Sequence, residues 1–172
     1  MQKDMIFLCL GSNMGDREKN IRDAIKLIKL NNITITGFSK LYNTEPVDYE
    51  NQNDFLNIIL KVSTDFSPEE LLRIVKRIEY LIGRRDSKIK KGPRIIDIDI
   101  LFYNDIIIDS EELTIPHKSI LNRYFIIKLL MDIDPDFLMP KFNLKVKDVF
   151  QKIDKSKRVE EYKRKSLKGV LF

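Results

Sequence analysis

The segment at residues 90–108, KKGPRIIDIDILFYNDIII, constrains the fold more than any other part of the chain. With the two-residue period of a β-strand, Ile96, Ile98 and Ile100 lie on one face, and Asp97 and Asp99 lie on the other. A sheet that buries these isoleucines therefore carries two neighbouring carboxylates on its opposite face. The simplest interpretation is the solvent-exposed face of a half-buried strand, and the alternative is a binding site.

Length and charge favour one domain with a basic extension. A chain of 172 residues can bury roughly 70 % of the surface that it exposes when unfolded. Residues 1–150 carry 23 basic and 23 acidic side chains, whereas residues 151–172 carry eight basic and three acidic ones. We therefore predict a domain at residues 1–150 and a basic C-terminal extension of the same single domain at residues 151–172. The high isoelectric point gives no argument that the folded domain binds nucleic acid.

The single cysteine and the short apolar runs bear on the compartment. Cys9 is the only cysteine, so no internal disulfide or cysteine-based zinc cluster is possible, and a reducing compartment is favoured. The first apolar run, at residues 5–10, is too short for a signal-peptide core, and no stretch approaches the ~20 apolar residues of a membrane span. We predict a cytoplasmic protein without a membrane partner.

The apolar periodicity predicts a βαββαββ order followed by another helix. The first helix starts near Asp16, with Ile21, Ile25 and Ile28 on its buried face. Strands are predicted at residues 33–43 and 55–63, and the strand with the two aspartates is predicted to form a hairpin with the IIID segment through Asn104 and Asp105. A helix is predicted at residues 119–131, and the remaining chain is predicted to be peripheral.

The second helix has the clearest signals. Ser67, Pro68 and Glu70 have the spacing of a capping box, and Gly83 marks the end of the helix. Its apolar stripe is predicted to contain Leu71, Val75, Ile78 and Leu81. Strands joined both directly and through helices are typical of an α+β sandwich of ferredoxin-like kind, with a mostly antiparallel sheet and helices packed on it.

The two carboxylates have the spacing of a metal clamp. Residues two apart on a strand have Cα atoms ~6.5–7 Å apart, so Asp97 and Asp99 could converge on two metal ions. Mg²⁺ accepts such carboxylates together with phosphate oxygens. Arg94 and an upstream loop supply the cations that a polyphosphate requires; a solvated charge run is the alternative. The cations of that loop are Arg84, Arg85, Lys88, Lys90 and Lys91.

Two further residues are candidates for ligand contacts. Asn57 stands among apolar residues on its strand, beside Phe55, so a flat heterocycle could satisfy its amide and stack on the ring; a neighbouring loop could also satisfy it. His117, the only histidine, is at most a contact residue because the partners of a triad or zinc site are absent. The chain has neither a G-x-x-x-x-G-K-[ST] loop nor a G-x-G-x-x-G fingerprint.

Seven motifs occur in family-like order, and GPRIIDIDIL is the most specific of them. The others are LGSN, YNTEPV, DFLN, IGRR, LTIPH and NRYF. From Ile6 to about Phe150 the chain resembles 6-hydroxymethyl-7,8-dihydropterin pyrophosphokinase. The resemblance implies a ferredoxin-like fold, two Mg²⁺ ions, and transfer of diphosphate from ATP to the hydroxymethyl group of the pterin, a step in folate biosynthesis that releases AMP.

The resemblance also implies roles for individual residues. Asp97 and Asp99 would hold both Mg²⁺ ions, and Arg84 and Arg94 would neutralise charge on the phosphates. The implied pterin-binding residues are Thr44, Glu45, Pro46, Val47, Phe55, Asn57 and Phe125. The implied ATP-binding residues are Leu72, Glu79, Arg84, Arg94, Ile100, Thr114, His117 and Arg123.

The chain departs from some family members at positions near the loops. Lys91 stands where some have an aromatic residue, Asp86 where some have a second loop arginine, and Lys118 where some have tyrosine. The loops expected to close over substrates are residues 44–54 and 84–91, together with the turn at residues 11–15.

Two other readings compete with a pyrophosphokinase. A nucleic-acid-binding module of ferredoxin-like fold would use the basic extension, but the chain lacks the aromatic RNP1 pattern. A catalytically dead homologue is the second alternative, although both aspartates and the signature arginines are intact.

Overall fold

A computed structural model of the protein describes residues 4–86, 89 and 91–163. Lys88 and Lys90 of the basic loop, and residues 164–172 of the predicted extension, lie outside the described residues. The helices and strands in chain order are β1 (Ile6–Ser12), α1 (Arg17–Leu30), β2 (Thr34–Phe38), β3 (Tyr42–Thr44), β4 (Phe55–Ser63), α2 (Pro68–Ile82), β5 (Asp97–Tyr103), β6 (Ile108–Asp109), β7 (Thr114–Ile115), a 3₁₀ helix (Ile120–Asn122), α3 (Tyr124–Ile133), β8 (Leu138–Met139), β9 (Leu144–Lys145), α4 (Val146–Lys152) and β10 (Val159–Glu161).

An antiparallel sheet with the strand order β10-β3-β4-β1-β5 forms the centre of the described fold, and β2 pairs with β4 beside β3. Every residue of β1 is buried, because this strand has a partner on each side and helices cover both faces. One apolar cluster packs α1 and α2 on the sheet, and a second packs α3 on the other face. The predicted α+β architecture is confirmed.

The two long helices begin where the sequence predicts. The Asp16 carboxylate accepts a hydrogen bond from the Lys19 amide (3.0 Å) at the start of α1. In α2 the Ser67 hydroxyl accepts from the Glu70 amide (3.2 Å), and the Glu70 carboxylate accepts from the Ser67 amide (2.8 Å). These reciprocal bonds satisfy backbone donors that a helix start leaves free. Both predicted starts are confirmed.

One member of the predicted α2 stripe is wrong. Leu71, Val75 and Ile78 are buried, but Leu81 is 57 % exposed. Ile82 packs on the core in its place, because a residue four positions after Ile78 lies closer to the same helix face than one three positions after it at this end of the stripe.

The predicted strand at residues 33–43 is divided into β2 and β3. Ser39 interrupts it: its amide donates to the Ile59 carbonyl (2.9 Å), while its hydroxyl accepts from the Ile59 amide (2.9 Å). A side-chain oxygen thus takes the place of a backbone carbonyl in the ladder. Such side-chain bonds compete with regular strand pairing.

The predicted hairpin between the aspartate strand and IIID is wrong. β6 pairs with β7, not with β5. Other groups occupy the outer edge of β5: the Ile98 amide donates to the Glu79 carboxylate (2.7 Å), and the Leu101 carbonyl accepts from the His117 amide (2.9 Å). These contacts fill positions that a hairpin partner would use.

The C-terminal part is not peripheral, contrary to prediction. The helix predicted at residues 119–131 is a 3₁₀ helix followed by α3. Beyond it, Phe137, Met139 and Val146 are buried in the second cluster. Within residues 151–172, β10 pairs with β3 and extends the sheet, so tertiary contacts recruit a segment that shows little apolar periodicity.

No helix within the described ranges has the length and apolar character needed to cross a membrane.

The capping box gives a test of the fold. Ser67→Ala removes the acceptor for the Glu70 amide, and we expect a melting temperature lower by about 2–4 °C, because such a cap is worth about 1 kcal/mol. Ser67→Asp keeps an acceptor and should melt close to the unsubstituted protein. Calorimetry of all three proteins checks this, and equal melting temperatures for Ser67→Ala and the unsubstituted protein would contradict it.

Candidate active site

Three neighbouring strands place functional groups in a row across one face of the sheet. In the register of β1, Gly11 lies opposite Asp97 of β5 and opposite Asn57 of β4, and Cys9 lies opposite Asp99. A pocket forms over this row, and it joins side chains from the sheet, from two loops and from α3. Its lining is Cys9, Gly11, Thr44, Glu45, Pro46, Val47, Asp48, Gln52, Phe55, Asn57, Lys91, Arg94, Asp97, Asp99, Arg123 and Phe125.

The pocket brings together residues that the sequence analysis assigned to different ligands. All of the expected pterin residues line it: Thr44, Glu45, Pro46, Val47, Phe55, Asn57 and Phe125. Both expected metal ligands also line it, with Arg94 and Arg123. One continuous pocket therefore holds the predicted carboxylate pair and the predicted heterocycle contacts.

Asp97 lies between two arginines. Arg84 Nη1 pairs with Asp97 Oδ1, and Arg94 Nη1 lies 3.1 Å from Asp97 Oδ2. Burial alone would raise the pKa of Asp97, but the two guanidinium groups outweigh burial and hold that pKa below its ordinary value. Asp97 is therefore ionised at neutral pH. Arg94 precedes β5, so the strand alternation does not direct its side chain to the opposite face.

Glu79 fixes the position of Arg84. Gly83, with φ +119°, ends α2, and the Arg84 amide donates to the Glu79 carbonyl (3.0 Å). The Glu79 carboxylate lies 2.9 Å from Arg84 Nη1 in an ion pair, and it accepts hydrogen bonds from Lys76 Nζ (3.1 Å) and the Ile98 amide (2.7 Å). Burial raises the pKa of Glu79 although both cations oppose the rise. The carboxylate thus ties α2, Arg84 and β5 together.

Asp99 differs from Asp97 in its surroundings. Among the described residues, the only basic side chain with a nitrogen within 4 Å of its carboxylate is His117, whose Nε2 lies 3.9 Å from Asp99 Oδ2. Burial, and next the negative charge of Asp97, raise the pKa of Asp99. The described residues contain no cluster of three or more His, Cys, Asp or Glu side chains that could hold a metal. Asp97 and Asp99 are therefore the candidate metal ligands as a pair, and Glu45 and Asp48 are the other acidic residues of the lining.

His117 is oriented by backbone contacts. Its Nδ1 accepts from the Ser119 amide (3.3 Å), and its own amide donates to the Leu101 carbonyl (2.9 Å). Burial lowers the pKa of His117, so the neutral ring carries its proton on Nε2, the nitrogen that faces Asp99. That N–H is a donor at the pocket side of β5.

Asn57 is held in a fixed orientation. Its Nδ2 donates to the Thr44 hydroxyl (2.6 Å), and a Cβ atom added at Gly11 would lie 2.5 Å from its Oδ1. The amide oxygen thus occupies the space that Gly11 leaves free. Thr44 of the neighbouring strand β3, and not a loop, satisfies one half of this amide, while the side chain still lines the pocket.

Asn13 connects the three segments around the pocket. Its backbone amide donates to the Arg94 carbonyl (3.2 Å), and its side-chain Oδ1 accepts from the Arg94 backbone amide (2.8 Å). Its Nδ2 donates to Gln52 Oε1 (2.9 Å) and to the Asn53 carbonyl (3.0 Å). The turn after β1 therefore anchors both the loop before β4 and the segment before β5.

Several expected ATP residues lie away from the pocket lining. Ile100 is buried in the first apolar cluster, Leu72 packs against that cluster, and Thr114 lies in β7. Arg85 stacks on the Tyr80 ring (4.2 Å to the centroid) instead of joining the carboxylates. Arg85 was predicted as one of the loop cations available to a polyphosphate, and that role stays a prediction.

The predicted site residues omit Gly11, Asn13, Asp48 and Gln52, and also Cys9, which lines the pocket. Asn13 and Gly11 were assigned only to a turn, and their signal is the LGSN segment that follows the apolar strand. Asp48 and Gln52 were included only in a loop range, and nothing in their local sequence distinguishes them. Their roles depend on contacts with residues about 40 or more positions away, since Asp48 pairs with Lys91 and Arg123.

Comparisons with known proteins identify the family of this chain. A family model described as 7,8-dihydro-6-hydroxymethylpterin-pyrophosphokinase matches residues 7–135. The 2-amino-4-hydroxy-6-hydroxymethyldihydropteridine pyrophosphokinase of Bacillus subtilis is 38 % identical over 131 residues, which cover 76 % of this chain and 78 % of that protein.

A longer relative and a solved structure are also similar. The folic acid synthesis protein fol1 of Pneumocystis carinii is 40 % identical over 153 residues, which cover 89 % of this chain but 20 % of that protein. This chain thus spans about a fifth of that relative's length. A Plasmodium falciparum HPPK-DHPS structure with pterin and p-hydroxybenzoate superposes with a TM-score of 0.68 at 21 % identity, covering 87 % of this chain and 41 % of that one.

The structural similarity shows the fold, which is α+β and ferredoxin-like as predicted. The family model covers most of the chain. Its match spans Asp97 and Asp99 and the two arginines that pair with Asp97, Arg84 and Arg94. The chain therefore belongs to the 7,8-dihydro-6-hydroxymethylpterin-pyrophosphokinase family.

Proposed function

We propose that this chain transfers the terminal diphosphate of ATP to the hydroxymethyl group of 6-hydroxymethyl-7,8-dihydropterin. The hydroxyl oxygen forms a bond to the β-phosphorus, and the bond between that phosphorus and the oxygen bridging to the α-phosphorus breaks. AMP leaves with the electron pair of the broken bond, and the hydroxyl proton is released. The products are AMP and the pterin diphosphate, an intermediate of tetrahydrofolate biosynthesis.

This proposal rests on one observation: the carboxylate pair, two arginines and the buried side-chain amide of Asn57 lie together at a single pocket. Asp97, Asp99 and Arg94 line the part that would take phosphates, and Arg84 pairs with Asp97 from its edge. Asn57 lines the part that would take the pterin. The two substrates would thus meet with their reacting groups side by side, which supplies much of the rate in a phosphoryl transfer.

The carboxylates fit two Mg²⁺ ions. Mg²⁺ is bound through one or two carboxylates and substrate phosphates, and it keeps several waters. The two arginines keep Asp97 ionised, and the charge of Asp97 contributes to the raised pKa of Asp99. A bound divalent cation would offset the repulsion between the two carboxylates. When bound, Mg²⁺ would offset the charge of the triphosphate and polarise the attacking oxygen.

The arginines are proposed to neutralise the phosphates. The ion pairs of Arg84 and Arg94 with Asp97 use Nη1 of each guanidinium. The buried Nε of Arg94 has no hydrogen-bond partner among the described residues. Both side chains therefore keep donors for phosphate oxygens while Asp97 holds them in place, so little reorganisation is needed as charge develops.

The pterin is proposed to bind where polar and aromatic groups line the pocket together. The loop residues Thr44 to Val47 would offer backbone groups to the ring, and Asn57 would read its edge. Phe55 and Phe125 would contact its faces. Thr44 also orients the amide of Asn57 (2.6 Å), which reduces the freedom lost on binding.

The remaining expected ATP contacts stay part of this proposal. Arg123 lines the pocket, and His117 presents Nε2 towards Asp99. Glu79 would act by holding Arg84, since its carboxylate is already engaged by Arg84, Lys76 and the Ile98 amide. Leu72, Ile100 and Thr114 are proposed to contact the nucleotide away from the reacting phosphate.

We also propose that both partners are small molecules, with no nucleic acid or membrane partner, and that the chain works in the cytoplasm. The single cysteine, Cys9, supports a reducing compartment, because it is buried and its thiol is free. Some curated relatives carry mitochondrial names, so cell fractionation against compartment markers tests this location.

The reaction can be tested through its nucleotide product. Incubation with ATP, Mg²⁺ and 6-hydroxymethyl-7,8-dihydropterin should give AMP only when the pterin is present. Asp97→Ala and Asp99→Ala should each lower the rate by at least about a hundredfold, because several kcal/mol of charge stabilisation are lost. Asp109→Ala, at an exposed position in β6, is the matched control and should retain the rate.

Other products would redirect the assignment. ADP in place of AMP would indicate transfer of a single phosphate. If no pterin-dependent product forms, the catalytically dead homologue or the nucleic-acid-binding module becomes the better reading.

The tight packing at Gly11 predicts a specific effect on the pterin. Gly11→Ala places a Cβ 2.5 Å from Asn57 Oδ1, so the amide must move. We expect KM for the pterin to rise by about tenfold, equivalent to about 1.4 kcal/mol, with little change in KM for ATP. Gly37→Ala is the control, since its Cβ would have ordinary contacts of 3.5 Å or more. Steady-state kinetics separate these effects, and an unchanged pterin KM would contradict the placement of Asn57.

The two aspartates should have opposite effects on the stability of the metal-free protein. The pKa of Asp99 is raised, so its ionisation costs stability as pH rises through that pKa, and Asp99→Asn should melt a few degrees higher at pH 8. The pKa of Asp97 is lowered, so its charge stabilises the fold at neutral pH, and Asp97→Asn should melt lower. The gain of Asp99→Asn should shrink as pH falls.

Melting curves from pH 5 to pH 8 without divalent cations make this measurement. If Asp97→Asn and Asp99→Asn shift the melting temperature in the same direction at pH 8, the assigned difference between the two carboxylates is wrong.

A further inference from the structure

Asp48 holds two cations at the mouth of the pocket. Its Oδ1 lies 2.7 Å from Lys91 Nζ, and its Oδ2 lies 2.7 Å from Arg123 Nη2. Each carboxylate oxygen thus serves a different partner. All three residues line the pocket with Asp97 and Asp99, so this ion-pair network belongs to the wall that a ligand contacts.

The three residues come from separate parts of the chain. Asp48 lies in the loop between β3 and β4, Lys91 precedes β5, and Arg123 immediately precedes α3. Gln52 of the same loop donates from Nε2 to the Lys91 carbonyl (3.1 Å) and accepts from Asn13 Nδ2 (2.9 Å). The loop is therefore attached to the segment before β5 at two points, and Asp48 supplies the charged one.

The negative charge of Asp48 occupies the cations that an anionic ligand would use. Burial would raise the pKa of Asp48, but Lys91 and Arg123 lower it below its ordinary value, so the carboxylate is ionised at neutral pH. Arg123 and Lys91 line the same pocket as Arg94, so they are further cations available to a phosphate chain bound there. Both are already paired with the single carboxylate of Asp48, and an anionic ligand must therefore compete with it.

We propose that Asp48 is a positioning residue that holds Lys91 and Arg123 over the pocket until phosphate groups of the nucleotide take its place. This inference rests on the proposed function and concerns how the same site receives ATP. When phosphate oxygens pair with Lys91 and Arg123, Asp48 loses both partners, and the loop at residues 45–54 loses its charged attachment to the segment before β5. Glu50 and Asp54 of the loop stay paired with Lys157 and Arg158. Nucleotide binding thereby loosens the part of the loop around Asp48, which adjoins the proposed pterin contacts at Thr44 to Val47.

The network has a simpler explanation, which predicts a different result. The Lys91 and Asp48 side chains are 43 % and 34 % exposed, and ion pairs with such exposure often contribute little. If Asp48 only fixes the loop, its removal leaves phosphate affinity unchanged or weakens it. If Asp48 competes with phosphate, its removal strengthens phosphate binding.

The test is the affinity of Asp48→Asn for an anionic probe. Binding of the Mg²⁺ complex of α,β-methylene-ATP is measured by isothermal titration calorimetry, and Mg²⁺-tripolyphosphate is measured in parallel to separate phosphate contacts from base contacts. We expect Asp48→Asn to bind both probes about three- to tenfold more tightly, the range that one or two partly exposed ion pairs represent. Asp109→Asn, which makes the same change in net charge at an exposed site in β6, should bind as the unsubstituted protein does.

A double-mutant cycle with Lys91→Met measures whether Asp48 and Lys91 are coupled in probe binding. If Asp48 has only a structural role, the effect of Lys91→Met on affinity should be the same with and without Asp48. In the unsubstituted protein Lys91 is already paired with Asp48, so Lys91→Met should cost little affinity. In the Asp48→Asn background Lys91 is free for phosphate, and the same change should cost several-fold more. Asp48→Ser repeats the charge removal with a smaller side chain and should show the same gain.

Each outcome decides the proposal. Unchanged or weaker binding by both Asp48→Asn and Asp48→Ser, in proteins that melt near the unsubstituted temperature, would overturn it. Tighter binding by Asp109→Asn as well would assign the gain to net charge and would also overturn it. The proposed function is judged separately, by AMP formation in the unsubstituted protein; if that protein binds neither probe and forms no AMP, both proposals fail.

Discussion

The register of β1 between β4 and β5 is the constraint on which the rest of the site depends. It places Asp97, Gly11 and Asn57 in one row across three strands. A slip of one residue would turn the carboxylates to the opposite face and the isoleucines away from the core. Because β1 is buried along its whole length, the core fixes this register, and the chemistry of the pocket follows from it.

The same strand gives two identical side chains different properties. Asp97 meets two guanidinium groups, whereas Asp99 meets a weakly basic imidazole at 3.9 Å. Their pKa values are therefore moved in opposite directions from one starting value. Opposite pKa shifts in two neighbouring carboxyl groups are common in active sites, because the two groups then differ in protonation state and can have different roles.

Much of the fold and of the site could be predicted from local patterns. The α2 cap, the two carboxylates on one face and the pairing of Asn57 with Phe55 in one pocket all follow from periods of 3.6 and 2 or from motifs. What could not be predicted depends on distant partners. The division at Ser39 requires the Ile59 amide, β10 requires β3, and Asp48 requires cations far along the chain, so no local pattern reports them.

The position of β5 at the edge of the sheet has a consequence for self-association. An edge strand offers free amides and carbonyls with which another molecule can pair, which is a route to aggregation. Here the Ile98 amide is occupied by Glu79 and the Leu101 carbonyl by the His117 amide. The groups that brace the aspartate strand thus also block strand addition, and mutations that loosen them should lower the yield of folded protein as well as its activity.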